Sequence, residues 1–204
     1  RLAVTAGTCA VMGTASTMAL IAETLGMALP GSAAIPAVHA DRLRASEESG
    51  ALAARMAVSG GPTPDRLITP AAVENALRVL LAVSGSTNAV IHLAAIAGRL
   101  GIDIDFDRFN QLSDETPVLV DLKPVGAGYM EDFHAAGALE GVLRGLEPAL
   151  DTTPVDVTGQ SLAERLAAPL ADPIDHKVIR PFSDPLKKEA GFIVLHGNLF
   201  DSAV

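Results

Sequence analysis

Ala6-Gly7-Thr8-Cys9-Ala10-Val11-Met12-Gly13-Thr14-Ala15-Ser16-Thr17-Met18-Ala19-Leu20-Ile21-Ala22-Glu23-Thr24-Leu25-Gly26, followed by Met27-Ala28-Leu29-Pro30-Gly31, is the stretch on which the fold turns. Leu2-Ala3-Val4 ahead of it reads as the end of a buried strand. Met18, Ile21, Ala22 and Leu25 then recur at helical spacing until Gly26 and Pro30 stop the run. The only cysteine of the chain, Cys9, falls in the turn between them, among Gly7, Thr8, Gly13, Thr14, Ser16 and Thr17. Backbone N–H groups and the helix dipole at such a start favour negative charge, so the position suits a thiolate, a bound anion or a cluster sulfur. On the residues alone two readings stay open. Cys9 is such a site or a small buried apolar residue, and the hydroxyls line a pocket or simply cap a helix.

Outward from this stretch, Ile35, Val38, Leu43, Leu52, Met56 and Val58 among charged residues predict one long amphipathic helix or two short ones over 35–59. Pro36 suits its first turn, Asp41, Arg42, Arg44, Glu47 and Glu48 its wet face, and His39 a solvated or capping role. Gly60-Gly61-Pro62-Thr63-Pro64 breaks the chain into a loop. Thr69 is then an N-cap with Pro70 at the first helical position, and Val73, Ala76, Leu77, Leu80 and Leu81 form a buried face. Ser84-Gly85-Ser86-Thr87-Asn88 interrupts that helix. A second apolar helix runs from Ala89 to about Leu100, with Gly101 as a left-handed cap. The interruption is a second hydroxyl-rich helix start. If it shares a cavity with the first, Thr8, Thr14, Ser16, Thr17, Ser86, Thr87 and Asn88 are candidates for one anion or polyol pocket; otherwise it is an ordinary break between core helices.

Phe106 and Phe109 are spaced to pack a short helix, and Pro117-Val118-Leu119-Val120 reads as a buried parallel strand. Glu131 and Asp132 open a further helix, where carboxylates offset the dipole. Residues 147–190 are polar and turn-rich around a short helix at 161–166, and Gly191-Phe192-Ile193-Val194-Leu195 restarts a strand. The expected fold class is α/β: a small parallel sheet covered by helices, about half the residues helical.

Composition narrows the function. Of 204 residues 49% are hydrophobic but only 3% aromatic, so a sizeable core must be built from Ala, Leu, Val and Ile. A formal net charge of −9 argues against a nucleic-acid surface. No apolar run approaches the roughly twenty residues of a membrane span, and no basic segment leads an apolar one as in a signal peptide. One cysteine fits a reducing cytoplasm. Both ends fall in strand-like runs, as if cut from a longer chain.

Gly7-Thr8-Cys9-x-x-Met12-Gly13-Thr14-Ala15-Ser16-Thr17-Met18 with Glu23-x-Leu25-Gly26-Met27-x-Leu29-Pro30-Gly31 resembles the signature of the dihydroxy-acid and sugar-acid dehydratase family. Four further matches follow in the family's order: Gly85-Ser86-Thr87-Asn88-Ala89-Val90-x-His92-Leu93, Thr116-Pro117-x-Leu119-Val120-Asp121-Leu122-Lys123-Pro124, Met130-Glu131-Asp132-Phe133-x-x-Ala136-Gly137 and Val194-Leu195-x-Gly197-Asn198-Leu199. The resemblance implies an internal piece of a longer homo-oligomeric enzyme. Residues 1–150 would belong to its amino-terminal cluster-binding α/β domain, 151–190 to a connection, and 191–204 to the beginning of a carboxy-terminal β-barrel domain. It implies dehydration of a 2,3-dihydroxy carboxylic acid to a 2-keto acid with an iron–sulfur cluster ([2Fe-2S] or [4Fe-4S]) and Mg²⁺. Cys9 matches the last of the family's three cluster cysteines. The other two cysteines, the Asp-Lys metal motif and the catalytic serine have no counterpart here, so this piece alone is expected to be inactive. Met12 to Met18 and Ala34-Ile35-Pro36-Ala37 look more like the sugar-acid branch. The rival reading is a non-catalytic anion-binding or assembly module, which would keep Gly85 to Asn88 but have no use for Cys9.

Overall fold

The computed structural model describes Gly7 and residues 9–199; the strand expected at Leu2-Ala3-Val4, and Thr8, lie outside the described residues. Its centre is α4 (Pro70–Ala82), started as anticipated by Thr69, whose Oγ1 accepts the Ala72 N–H at 3.2 Å, with Pro70 in the first turn. From Ala72 to Ala82 every residue but Glu74 is buried. A helix covered all round is a core helix, and α1 (Thr14–Thr24), α5 (Asn88–Gly98), α6 (Phe106–Glu115) and α8 (Ala138–Leu146) all pack on it. Helix α1 divides the core: Leu20 joins Val79, Leu119, Phe133, Val142 and Leu146 on one side, while Ile21 and Leu25 join Leu77, Leu80, Leu93, Phe109 and Leu112 on the other. Gly26 ends α1 at φ +75, and a Cβ there would stand 2.5 Å from the Val155 carbonyl oxygen, so only glycine fits.

Helix α2 (Ala40–Ser59) is one element rather than two, and none of its residues is buried. Pro36 lies in the turn ahead of it, not in its first turn. The physical reason for its exposure is the phase of its apolar residues. At about 100° per residue, Leu43 and Val58 fall on one side of the helix and Leu52 and Met56 on the other, so no single face is apolar enough to dock. His39 occupies the N-cap position without a capping hydrogen bond; its ring stands edge-on to His134, centroids 5.3 Å apart.

A short α3 (Pro64–Leu67) precedes α4, and α7 (Met130–Ala135) precedes α8. A 3₁₀ turn (Glu147–Ala149) and α9 (Leu162–Ala167) complete the helices, which hold about half the described residues, as expected. The small parallel sheet is not found: among the described residues only isolated bridges occur. Val118, Leu119 and Val120 are buried and extended as anticipated, yet Val118 and Val120 bridge antiparallel to Lys187 and Ile179. Leu119 N–H donates to the Ala82 carbonyl at the end of α4, at 2.9 Å. A segment whose backbone groups cap a helix end and meet a proline-rich strap cannot carry a continuous ladder. What the described residues show is a helix-dominated α/β-like domain.

The turn-rich 151–190 stretch wraps back over this core. The Asn75 side chain exchanges two hydrogen bonds with the Asp151 backbone, at 2.7 and 3.0 Å. No barrel start is found at 191–199. Instead Asn110 of α6 brackets the Val194 backbone in the same two-bond manner, at 3.0 and 2.8 Å, and Phe192 stands edge-on to Phe109.

Candidate functional site

The two hydroxyl-rich helix starts, α1 and α5, meet. The hydroxyls of Thr14 and Ser86 hydrogen-bond at 2.8 Å, Asn88 Nδ2 donates to Thr14 Oγ1 at 3.1 Å, and Ser86 N–H donates to Thr17 Oγ1 at 3.1 Å. Local chemistry sets this up. Thr17 reaches back one turn to donate to the Gly13 carbonyl at 2.8 Å, which orients its lone pairs toward the 84–88 turn. That turn leaves α4 through Ser84 at φ +47 and approaches α1 so closely that a Cβ on Gly85 would lie 2.7 Å from Thr17 Cγ2 and 2.8 Å from Leu80 Cδ1. A non-glycine residue at positive φ is uncommon and is held here by the packing around it.

The seven hydroxyl and amide candidates take different places. Thr14, Ser86 and Thr87 line a cavity of about 570 Å³ together with Gly13, Ser84, Pro124 and Lys187. Asn88 is exposed beside them, tied to Thr14. Thr17 is fully buried, with its hydroxyl bridging α1 to the 84–88 turn. Ser16 is buried too; its Oγ accepts from Gly13 N–H at 3.1 Å and donates to the Val11 carbonyl at 3.0 Å. Thr8 lies outside the described residues. Lys187 had no signal in the sequence. It comes from the aperiodic proline-rich segment, brought to the cavity by the Val118–Lys187 bridge. Its ammonium is the only cationic side chain on that wall among the described residues.

Cys9 is exposed and lies five residues ahead of Thr14 rather than at the helix start itself. The chain from Cys9 to Gly13 is pinned on both sides: Met12 N–H donates to the Lys123 carbonyl at 2.9 Å, and Met130 N–H donates to the Ala10 carbonyl at 2.8 Å. Beside those anchors Lys123 Nζ donates to Tyr129 Oη at 2.6 Å. Cys9 faces a cavity of its own, walled by Ala10, Ala15, Ala19, Ala33, Ala34, Ile35 and Pro36, with Ser16, Met130 and Glu131. Small apolar walls leave the sulfur as the single soft ligand there, with Glu131 the one carboxylate. Asp132, its neighbour, is a capping residue: its Oδ2 accepts the Tyr129 N–H at 2.8 Å. Among the described residues no three His, Cys, Asp or Glu side chains gather into a metal-binding group. An iron–sulfur cluster needs several thiolates, so Cys9 fits as one ligand of a cluster and not as its holder.

A buried ionic network adjoins the loop that walls the Cys9 cavity. Glu23 accepts backbone N–H groups from Gly31 and Ala33 at 2.7 and 2.8 Å and Arg165 Nη2 at 2.6 Å, while Arg165 Nε reaches Glu140 at 2.8 Å. Burial alone would lower the Arg165 pKa, but the Glu23 and Glu140 carboxylates together raise it, so the guanidinium stays charged. This network fixes the loop that carries the alanine wall of the Cys9 cavity.

The description of the family model matching residues 1–165 is dihydroxy-acid/6-phosphogluconate dehydratase, N-terminal. Among curated relatives, a protein of Geobacter metallireducens is 44% identical over 193 residues, which is 95% of this chain and 34% of that protein. Relatives from Nitratidesulfovibrio vulgaris and Methanococcoides burtonii are each 41% identical, over 195 and 196 residues, again 95% of this chain and 35% of theirs. All three are named dihydroxy-acid dehydratase. The chain thus spans about a third of the length of the curated relatives it matches.

Proposed function

This chain belongs to the dihydroxy-acid/6-phosphogluconate dehydratase family, and from that premise we propose that the complete protein is a hydro-lyase converting a 2,3-dihydroxy carboxylic acid to a 2-keto acid. The observation that carries the reading is the pairing of an exposed, pinned Cys9 with a neighbouring hydroxyl-lined cavity at two helix starts. Cys9 would be one thiolate ligand of an iron–sulfur cluster, with the remaining ligands outside this chain. When bound, the cluster and Mg²⁺ would supply Lewis acids for a departing hydroxyl and for the carboxylate end of the substrate.

The chain's own residues bind and orient. Thr14, Ser86 and Asn88, already tied to one another, exchange hydrogen bonds with substrate hydroxyls at little reorganisation, because the 84–88 turn is held against α1 by the close approach at Gly85. The Lys187 ammonium and the α1 and α5 N-termini give the cavity a positive field that suits a carboxylate. Thr17 and Ser16 hold this frame from behind. The proton-removing base is assigned to the part of the protein beyond this chain. Residues 1–150 are assigned to the cluster-binding domain, 151–190 to the connection and 191–204 to the start of the second domain.

The refinement to a sugar acid rests on the number of hydroxyls around the cavity, whereas the relatives are named only for a dihydroxy acid. Assaying a sugar acid and a branched dihydroxy acid side by side separates these. The test of the reading itself is Cys9→Ser in the complete protein. It is expected to lose the visible iron–sulfur absorbance and dehydratase activity together. Retention of both would overturn it.

A further inference from the structure

One loop grips the segment that follows Cys9, and it does so with both of its ends. Met12 N–H donates to the Lys123 carbonyl at 2.9 Å, and Met130 N–H donates to the Ala10 carbonyl at 2.8 Å. The gripped segment also parts the two cavities: Ala10 lines the one that Cys9 faces, and Met12 lines the one with the hydroxyls. The loop borders both, through Met130 and Glu131 on the first and Pro124 and Val125 on the second. The spacing between residues 123 and 130 therefore sets where the Cys9 backbone stands relative to the hydroxyl cavity.

Two kinds of bond fix that spacing. The backbone closes the loop internally: Lys123 N–H donates to the Gly128 carbonyl at 2.9 Å, and Gly128 N–H to the Asp121 carbonyl at 3.1 Å. The Asp121 carboxylate adds the Ala127 N–H at 2.7 Å. Beyond residue 128, side chains take over. Lys123 Nζ donates to Tyr129 Oη at 2.6 Å and stands 4.1 Å from the centre of the same ring. A lysine ordinarily keeps its ammonium in water. This one is folded over a phenol, where a charge-assisted hydrogen bond and a cation–π contact combine. The pair sits at the grips themselves, since Lys123 supplies one carbonyl and Tyr129 immediately precedes the Met130 N–H. Neither side chain lines either cavity, so the pair is placed to hold rather than to bind.

We propose that Lys123 and Tyr129 form a clasp that positions Cys9 for ligation. Both are positioning residues. They act through the Met12 and Met130 hydrogen bonds, which fix the direction in which the thiolate leaves the chain, as outer partners of a metal site orient its ligands. The role toward a metal rests on the function proposed above; the clasp itself rests on the loop geometry alone.

The test is made in the complete protein with two readouts. Amide hydrogen exchange, followed by mass on peptides spanning Met12 and Met130, reports the grips. Release of iron to a chelator, followed by loss of visible absorbance, reports the ligand. Tyr129→Phe removes the hydrogen bond and leaves the ring under the ammonium, whereas Lys123→Met removes both contacts. Tyr129→Phe should speed exchange at Met12 and Met130, and iron release, each about tenfold. Lys123→Met should do at least as much, and the double variant no more than Lys123→Met, because the two residues act as one unit. Lys123→Arg should restore most of the protection, since a guanidinium both donates to the phenol and stacks on its ring. Exchange within α4 should stay unchanged throughout, which separates the clasp from a general loss of stability. If Lys123→Met does not fold, Tyr129→Phe decides alone. Unchanged exchange at Met12 and Met130 would overturn the clasp, and faster exchange with unchanged iron release would overturn its role toward Cys9. A parent protein that holds no iron would overturn the dehydratase reading, and with it the role toward a metal, while the exchange rates still decide the clasp.

Discussion

Thr14 and Thr17 sit three residues apart in the same motif, yet their hydroxyls do different work. Thr17 is fully buried, donates to Gly13 and accepts from Ser86 N–H. Thr17→Val keeps the shape and leaves that N–H without its partner, so it is expected to cost about 1–3 kcal/mol in denaturant unfolding. Thr14→Val, at a partly exposed position open to water, should cost about 1 kcal/mol or less and instead weaken substrate binding. An equal loss for the two would remove the distinction. The sequence makes both candidates and cannot rank them, because rank depends on which neighbour turn arrives, and the 84–88 turn is some seventy residues away. His134 gives a second residue-scale prediction. Burial first, then the neighbouring His39 and Arg42, lower its pKa below the usual histidine value, with Asp41 opposing. Its folded state therefore favours the neutral ring. The associated stability is present above about pH 6.5, the ordinary histidine value, and is lost as pH falls below it. An NMR titration should place the His134 midpoint below that value, and His134→Gln should flatten the fall of stability on acidification. A midpoint above 6.5 would contradict this.

Among the elements, α1, α8 and α9 are joined by the Glu23–Arg165–Glu140 network rather than by apolar contact alone. Glu23 is buried, so removing Arg165 leaves a carboxylate with only two backbone donors. Arg165→Met is expected to destabilise by about 3–5 kcal/mol, and Glu23→Gln/Arg165→Met to recover part of it, since the double variant buries no unpaired charge. A double variant as unstable as the single one would show that Arg165 acts through packing. This link was not legible in the sequence, where Arg165 belongs to a short helix in a polar stretch and its partner lies 142 residues away. The helices themselves were legible: Thr69-Pro70, the break at Gly85 and the Gly26 and Gly101 caps carry local backbone chemistry that tertiary context did not override. The sheet was misread for the converse reason. An apolar run such as Val118-Leu119-Val120 reports burial and extension, but not what its backbone pairs with. Here the end of α4 and the strap at 179–187 took those hydrogen bonds.

At the scale of the molecule, the candidate site is split. One thiol, Cys9, and one carboxylate, Glu131, face the alanine-walled cavity, while the hydroxyls and Lys187 face another. Neither set meets the ligand count of a cluster or of an octahedral cation. The chain spans about a third of the relatives it matches, and the function proposed above assigns the remaining ligands to residues outside it. Expressed by itself, the 204-residue chain should fold, since its two apolar clusters close around α4 without help. It should also remain colourless after anaerobic incubation with iron and sulfide and show no dehydration of a sugar acid or a branched dihydroxy acid. Folding is checked by a cooperative unfolding transition, iron by metal analysis of the desalted protein. A folded chain with well under one iron per polypeptide is the expected result. Stoichiometric iron, with visible absorbance that disappears in Cys9→Ser, would mean that this chain assembles a cluster unaided, through ligands contributed by a second copy.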